Sequence, residues 1–327
     1  MLQTFRNNNP FTVIILFIGT LVLKLGVLLH PQAPVRLPGY FVYNSLLDLF
    51  NIVLRNSAFG YTFLNIILLF LQALYINRIA AHYKLFYRPS YIPALVYILL
   101  ISMYPPFGFF SLAMVVNWFV LCGVDVMLSF NQTLKPRKNI FNAGYLFCLA
   151  GVLQFSALGF VVLLLGALII LRSFNVGEWV VAVLGYVTPL YFFAGILFLA
   201  DKLPLLSEWP QAGISLPRQL GPPVYIIGLL AGFIILISCG LYGMQLQVPK
   251  SGIYIRRNWA TLTMYAIIAV LVAVFTDVFV VSAWLIVMPA LTFIITHGFN
   301  LEKSKRFSNF IFYFSLLLVV FCQVAYK

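Results

Sequence analysis

The sequence predicts an all-α polytopic membrane protein: a bundle of about eleven transmembrane helices, with an interfacial amphipathic helix in its first outer loop. Three observations carry this. The 327 residues are 63% hydrophobic and only 8% charged, where a soluble chain carries about 25% charged residues. That much apolar surface exceeds what one core can hide, so the solvent around it must be lipid. The apolar runs are joined by short polar connections, and alternate connections are basic. One connection, residues 30–58, is too polar to cross a bilayer, yet lies between two runs that can.

Taken in order, the spans are expected at 11–29, 59–77, 90–104, 108–130, 140–155, 157–171, 179–200, 224–245, 259–276, 278–296 and 308–326. The first carries Lys24 near its outer end, where the long stem can snorkel to the interface. Residues 140–171 read as a tight helix pair with a polar turn at Gln154–Ser156, and a second pair turns at Asp277. Spans as short as 90–104 suit helices packed inside a bundle, because a bilayer of about 30 Å needs about 20 residues. The whole chain forms one integral membrane domain, 1–327, with residues 224–327 as additional C-terminal spans.

The net charge of +13 comes from 20 Lys and Arg against 7 Asp and Glu. With a cytoplasmic N-terminus, fourteen of the cations fall in short inner connections. Arg36, Arg55, Lys202, Arg218 and Lys327 lie outside, and Lys24 lies within a span. This is the asymmetry that orients chains in a cytoplasmic membrane. It also places residues 30–58, residues 201–223 and Asp277 together on the non-cytoplasmic side. Nucleic acid is excluded as a partner, since no basic strand-rich module accompanies the aromatic residues.

Within 30–58, Pro31, Pro34 and Pro38 keep the first third extended. Asn44, Ser45, Asp48, Asn51 and Arg55 then recur along one helical face, with Leu46, Leu47, Leu49, Phe50, Ile52, Val53 and Leu54 opposite. Such a helix lies in the interface with its apolar side down.

The stretch PGYFVYNSLLDLFNIVLRNSAFGYTFLNIILLFLQALYINRIAAH resembles the end of the first outer loop and the second span of the GT-C class of polyprenol-dependent glycosyltransferases. NAGYLFCLAGVLQFSALGFVVLLLGALIILRS resembles the same class's Gly-rich helix, polar turn, helix and Arg. The likeness covers roughly residues 11–223. It implies a GT-C-like core, a lipid-linked glycan or polyprenyl-phosphate carrier as ligand, and an acidic residue after the first span. HPQAPVRLPGY, the corresponding stretch, contains no acid, and Asp48 is the sole carboxylate of the loop. The chain also resembles a family of bacterial polytopic inner-membrane proteins, a likeness that carries no activity.

The candidate residues follow. Asp48 is a displaced general base or a metal ligand, or else a helix cap, since Ser45-x-x-Asp48 fits a capping box. His30 and Arg36 contact a lipid phosphate, for which the guanidinium fork is suited, or snorkel to headgroups. Asp201, Glu208 and Arg218 either face the first loop across a cavity or form salt bridges among themselves. Asp125, inside an apolar run, is either functional or paired, with Arg137, Lys138 or another basic loop, because an unpaired carboxylate is costly there. No cofactor or metal is implied: no P-loop, GxSxG or HExxH occurs, and His30 lies on the opposite side from His82 and His297. Cys122, Cys148, Cys239 and Cys322 sit in apolar runs without CxxC spacing and read as small core residues. Three functions from different classes fit: a glycan-handling membrane protein, a non-catalytic scaffold that meets a membrane-protein partner in the envelope, and a small-solute transporter.

Overall fold

The computed structural model describes residues 2–6, 9–132, 135–210, 213, 222–277, 282–301 and 305–326. Among the described residues there are helices and no strands. The α-helices are α1 (Leu2–Arg6), α2 (Phe11–Leu23), α3 (Leu25–Leu29), α4 (Phe41–Leu54), α5 (Ala58–His82), α6 (Ile92–Ser102), α7 (Leu112–Leu128) and α8 (Arg137–Leu153). They continue with α9 (Phe160–Leu171), α10 (Val176–Leu199), α11 (Leu205–Glu208), α12 (Pro223–Gln247), α13 (Ile253–Val274), α14 (Met288–Phe299) and α15 (Lys305–Ala325).

Each of the eleven expected segments contains a helix. Six helical stretches of the described chain are long and apolar enough to cross a membrane: Ala58–His82, Leu112–Asn131, Val176–Leu199, Pro223–Lys250, Ile253–Val274 and Arg306–Ala325. The shorter helices are placed differently. Every residue of α6 is buried, and so is every residue of α14 except Leu291. Eleven residues rise about 16 Å, half of a bilayer core. The long helices α10 and α12 instead expose Val183, Phe192, Ile196, Ile227 and Ile234. Two short helices, α6 and α14, inside and the long apolar α10 and α12 outside is an arrangement that suits hydrocarbon as the outermost solvent.

Helix breaks inside such a bundle release backbone carbonyls that lipid cannot satisfy, so protein must. Past the end of α6 the chain runs through a 3-10 turn, Pro105–Gly108, before α7. Buried side chains cap the freed oxygens. Lys24 Nζ donates to Ile101 O at 2.7 Å, Tyr225 OH to Met103 O at 2.9 Å, and Asn65 Nδ2 to Phe107 O at 3.2 Å. Asn117 Nδ2 does the same for Leu285 O, at 3.3 Å, in the 3-10 turn Ala283–Val287 before α14. Lys24 therefore does not snorkel. It is 2% exposed and turned inward, where the carbonyl end of α6 attracts a cation. Tyr225→Phe should lower stability by about 1 kcal/mol, because it orphans the Met103 carbonyl without opening a cavity. Thermal unfolding in detergent measures this, and an unchanged midpoint would mean that water reaches the carbonyl.

Asp125 is paired, by Tyr75 of α5 and by Tyr83 just past its end, and not by Arg137 or Lys138 among the described residues. Tyr75 OH donates to its Oδ2 at 2.7 Å, and Tyr83 OH donates to its backbone oxygen at 2.5 Å. The Arg78 guanidinium lies 5.7 Å from the Tyr75 ring centre. The four cysteine thiols are free, with Cys148 and Cys322 buried.

The connections fall into two groups that touch within each group. At the basic end, Arg6 Nη2 donates to Phe299 O at 3.1 Å, Trp259 Nε1 to Leu85 O at 3.1 Å, and Asn131 Nδ2 to Asn258 Oδ1 at 3.1 Å. At the far end, Trp209 Nε1 donates to Val152 O at 3.1 Å and Gln323 Nε2 to Leu23 O at 2.7 Å. Phe193 bridges Phe41 and Trp209, and the Asp277 carboxylate acts on Tyr40, so the described parts of both long connections and Asp277 share one end of the molecule.

Candidate functional site

The far end is organised by α4. The extended residues before it are tied down by Asn44, whose Oδ1 accepts from the Leu37 N–H at 3.1 Å and whose Nδ2 donates to Leu37 O at 2.8 Å. On the bundle side, Tyr43 and Leu47 are buried, Phe50 meets Phe110 edge-on at 5.7 Å, and Tyr61 OH donates to Asn51 Oδ1. Asn44 and Asn51 therefore face inward, not along a solvated face with Asp48. The exposed arc mixes Ser45 and Asp48 with Leu49, Ile52 and Val53, three aliphatic side chains left bare by the protein. Apolar residues in that position suit an interface helix that dips one side into lipid.

The capping-box reading of Asp48 does not hold. The helix begins at Phe41, Tyr40 occupies the N-cap position, and no side-chain cap forms. Asp48 lies mid-helix and forms an ion pair with Arg36. The two side chains are 55% and 67% exposed, so the pair adds at most about 1 kcal/mol of stability. It does hold the proline-rich strand against α4. His30 is exposed at the end of α3. Asp201 is exposed in a left-handed conformation, φ 53°, just past α10. There the Asp201 N–H donates to Phe198 O and the Lys202 N–H to Leu197 O at 2.9 Å, a Schellman ending in which an Asp tolerates the positive φ. Glu208 is exposed at the end of α11, and Arg218 lies outside the described residues. Of the predicted residues, the fold brings Arg36 and Asp48 together as an ion pair, while His30 and Asp201 close two different helices.

Deeper at the same end is a polar cluster that sequence reasoning did not assemble. Gln154 and Ser156, from the turn between α8 and α9, meet Thr276 beyond α13. Gln154 Nε2 donates to Ser156 Oγ and to Thr276 Oγ1, both at 2.9 Å. The two hydroxyl oxygens are 2.9 Å apart, and Thr276 Oγ1 donates to Val272 O at 2.7 Å. That last bond fixes Thr276 as acceptor from Ser156. Gln154 is 1% exposed, and its Oε1 has no partner. Asp277 follows Thr276 and is half-buried. Tyr40, 5% exposed, has an unpartnered hydroxyl, and its ionisation is pushed up by burial and by the Asp277 carboxylate. Each buried polar atom without a partner forfeits a hydrogen bond; Tyr40 OH and Gln154 Oε1 are two of thirteen such side-chain atoms among the described residues, set apart by the half-buried Asp277 near them.

Aromatic rings run beside the cluster. Phe155 meets Trp209 edge-on at 5.2 Å, Trp209 lies 5.5 Å from Phe193, and Phe193 stacks on Phe41 at 5.7 Å. Neutral hydrogen-bonding groups, one carboxylate and half-buried aromatic rings can hold a polyol. Among the described residues no group of three or more His, Cys, Asp or Glu side chains can hold a metal ion. The polar turn residues Gln154, Ser156 and Asp277 were visible in the sequence as interruptions of apolar runs. Tyr40 carried no signal.

Two cavities lie at the basic end. One, of about 290 Å³, is lined by Ala81, Lys84, Tyr87, Arg88 and Ser90 among others. The other, of about 370 Å³, lies between the end of α9 and the start of α13. Comparison with protein-family models, with curated proteins and with solved structures finds no match for this chain.

Proposed function

We propose that this chain is an eleven-span protein of the bacterial inner membrane, N-terminus cytoplasmic, which binds a lipid-linked glycan at its non-cytoplasmic end through a GT-C-like core. The observation that carries the reading is the pair of buried, unpartnered polar atoms, Tyr40 OH and Gln154 Oε1, near Asp277 and beside the aromatic strip. A sugar hydroxyl supplies both a donor and an acceptor, and so satisfies either atom. The bare Leu49, Ile52 and Val53 of α4 offer a polyprenyl chain an apolar surface at the same end.

Transfer of the sugar is the enzymatic form of this reading. It gives general-base duty to Asp48, which must first leave Arg36. A second reading is favoured by that same ion pair: Arg36 and Asp48 satisfy each other, which suits a non-catalytic scaffold whose exposed α4 face meets a membrane-protein partner. A small-solute transporter is the least supported of the three, because no internal repeat accompanies the helices.

Binding separates the readings. Purified protein should bind an undecaprenyl-diphosphate-linked sugar at least about tenfold more tightly than undecaprenyl phosphate alone, and Gln154→Ala with Asp277→Asn should erase the preference, the neutral bond lost at Gln154 costing about 0.5–1.5 kcal/mol and the charge-assisted one at Asp277 about 1.5–3 kcal/mol. Equal binding of the two lipids would overturn glycan recognition. Asp48→Asn should abolish transfer with abundance unchanged if the protein is an enzyme. Recovery of a stoichiometric partner in mild detergent, with neither lipid bound, would establish the scaffold instead.

A further inference from the structure

The second basic-end cavity has no part in the far-end reading. It is lined by Asn131, Arg172, Ser173, Tyr254 and Arg257, with Ile169, Ile170 and Leu171 as its apolar wall. These residues come from three places in the chain: the turn after α7, the end of α9, and the first turns of α13. Their convergence belongs to the fold. The cation excess that orients the chain asks only that charges be on this end, not that they face one hollow.

Two features make the hollow more than a charged surface. Arg172 is held in place from behind. Its Nη2 donates to Glu178 Oε1 at 2.9 Å and its Nε to Oε2 at 3.3 Å, and Glu178 is 6% exposed. One edge of the guanidinium is thereby fixed, and Nη1 is left for another acceptor. Asn131 is fixed too, its amide nitrogen donating to Asn258 Oδ1 at 3.1 Å. Across from them Arg257 is exposed and, among the described residues, has no carboxylate partner. Two guanidiniums, one pre-oriented and one exposed, with Ser173 and Tyr254 in the same wall, form a donor-rich lining. Such a lining favours a tetrahedral oxyanion, since arginine forks match phosphate oxygens.

We propose that this cavity binds a phosphate-bearing group at the basic end of the protein. A volume of about 370 Å³ holds a phosphate with a small organic substituent. The group comes either from the headgroup of an anionic lipid, whose chain runs down past Ile169, 67% exposed on the outside of α9, or from a soluble phosphate.

The test uses the full-length protein in neutral detergent, with dioctanoyl phosphatidic acid and inorganic phosphate as probes. Wild-type protein should bind phosphatidic acid saturably. Arg257→Gln should weaken binding about tenfold or more, while Arg256→Gln, the neighbouring cation that does not line the cavity, should leave it unchanged. Arg257 and Arg256 are both exposed, so neither variant threatens the fold, and equal melting temperatures would verify this. Saturable binding of phosphatidic acid but not phosphate identifies the lipid source, and comparable binding of both identifies the soluble one. Either result, with the Arg257 dependence, upholds the proposal. Absence of saturable binding, or equal weakening by both variants, overturns it, because a diffuse positive field would then explain the attraction. The far-end glycan reading is untouched by either outcome.

Discussion

Gly185→Leu should prevent the protein from folding, or lower its stability by more than about 3 kcal/mol. A Cβ built on Gly185 would stand 2.4 Å from the Phe141 carbonyl oxygen and 2.8 Å from its Cα. Both are backbone atoms of α8 and cannot swing aside. Gly144 answers from α8, where a Cβ would lie 3.0 Å from Ala182 O and 3.1 Å from Tyr186 N. In lipid no hydrophobic force drives helices together, and close backbone approach through small residues supplies the attraction instead. Gly195→Leu is the control, since it lies on the same helix with nothing within 4 Å of its Cβ position. Retention of the monodisperse peak after heating in detergent distinguishes the two. Equal survival of Gly185→Leu would refute the close packing of these helices.

Glu178→Ala should be the next most damaging change, at about 2–4 kcal/mol. Glu178 stands in the first turn of α10, where the helix dipole favours a carboxylate. Behind it Asn175 caps the helix, its Oδ1 accepting from Gly177 N–H at 3.0 Å. Removing the acid strands Arg172, whose side chain is 25% exposed, with an unpaired charge. Replacing both residues by apolar ones, Arg172→Met with Glu178→Leu, should recover most of the loss, since a buried pair seldom outperforms well-packed hydrophobic side chains. A double-mutant cycle by chemical or thermal unfolding gives the coupling directly. Additive losses would show that the pair contributes nothing as a pair.

The site was legible only in fragments. Polar residues interrupting apolar runs marked the turns at Gln154–Ser156 and at Asp277; the first exists as expected, and at the second α13 has ended by Val274 while residues 278–281 lie outside the described residues. Spacing could not reveal that the two turns touch, because they are 122 residues apart between Gln154 and Thr276. The recurrence of polar residues from Asn44 to Arg55 predicts a helix, and one forms at Phe41–Leu54, but Asn44 and Asn51 face the bundle. An asparagine is polar by type, yet it faces inward wherever the bundle offers it a backbone group or a tyrosine hydroxyl. Lys24 failed in the same way: a buried carbonyl attracted its amine more strongly than the interface did.

By itself, the amino-acid sequence determined that this chain is helical, that its helices are apolar enough for lipid, and where polar and basic connections interrupt the apolar runs. Those properties follow from local quantities: hydropathy along each run, proline positions, and the alternation of charge between successive connections. Only the tertiary structure decided which short helices lie inside, which carbonyls the buried polar side chains cap, and which distant turns and arginines converge. Those depend on packing between segments far apart in the chain, where partners are chosen by geometry and by the penalty for leaving a polar atom unpaired in a medium without water.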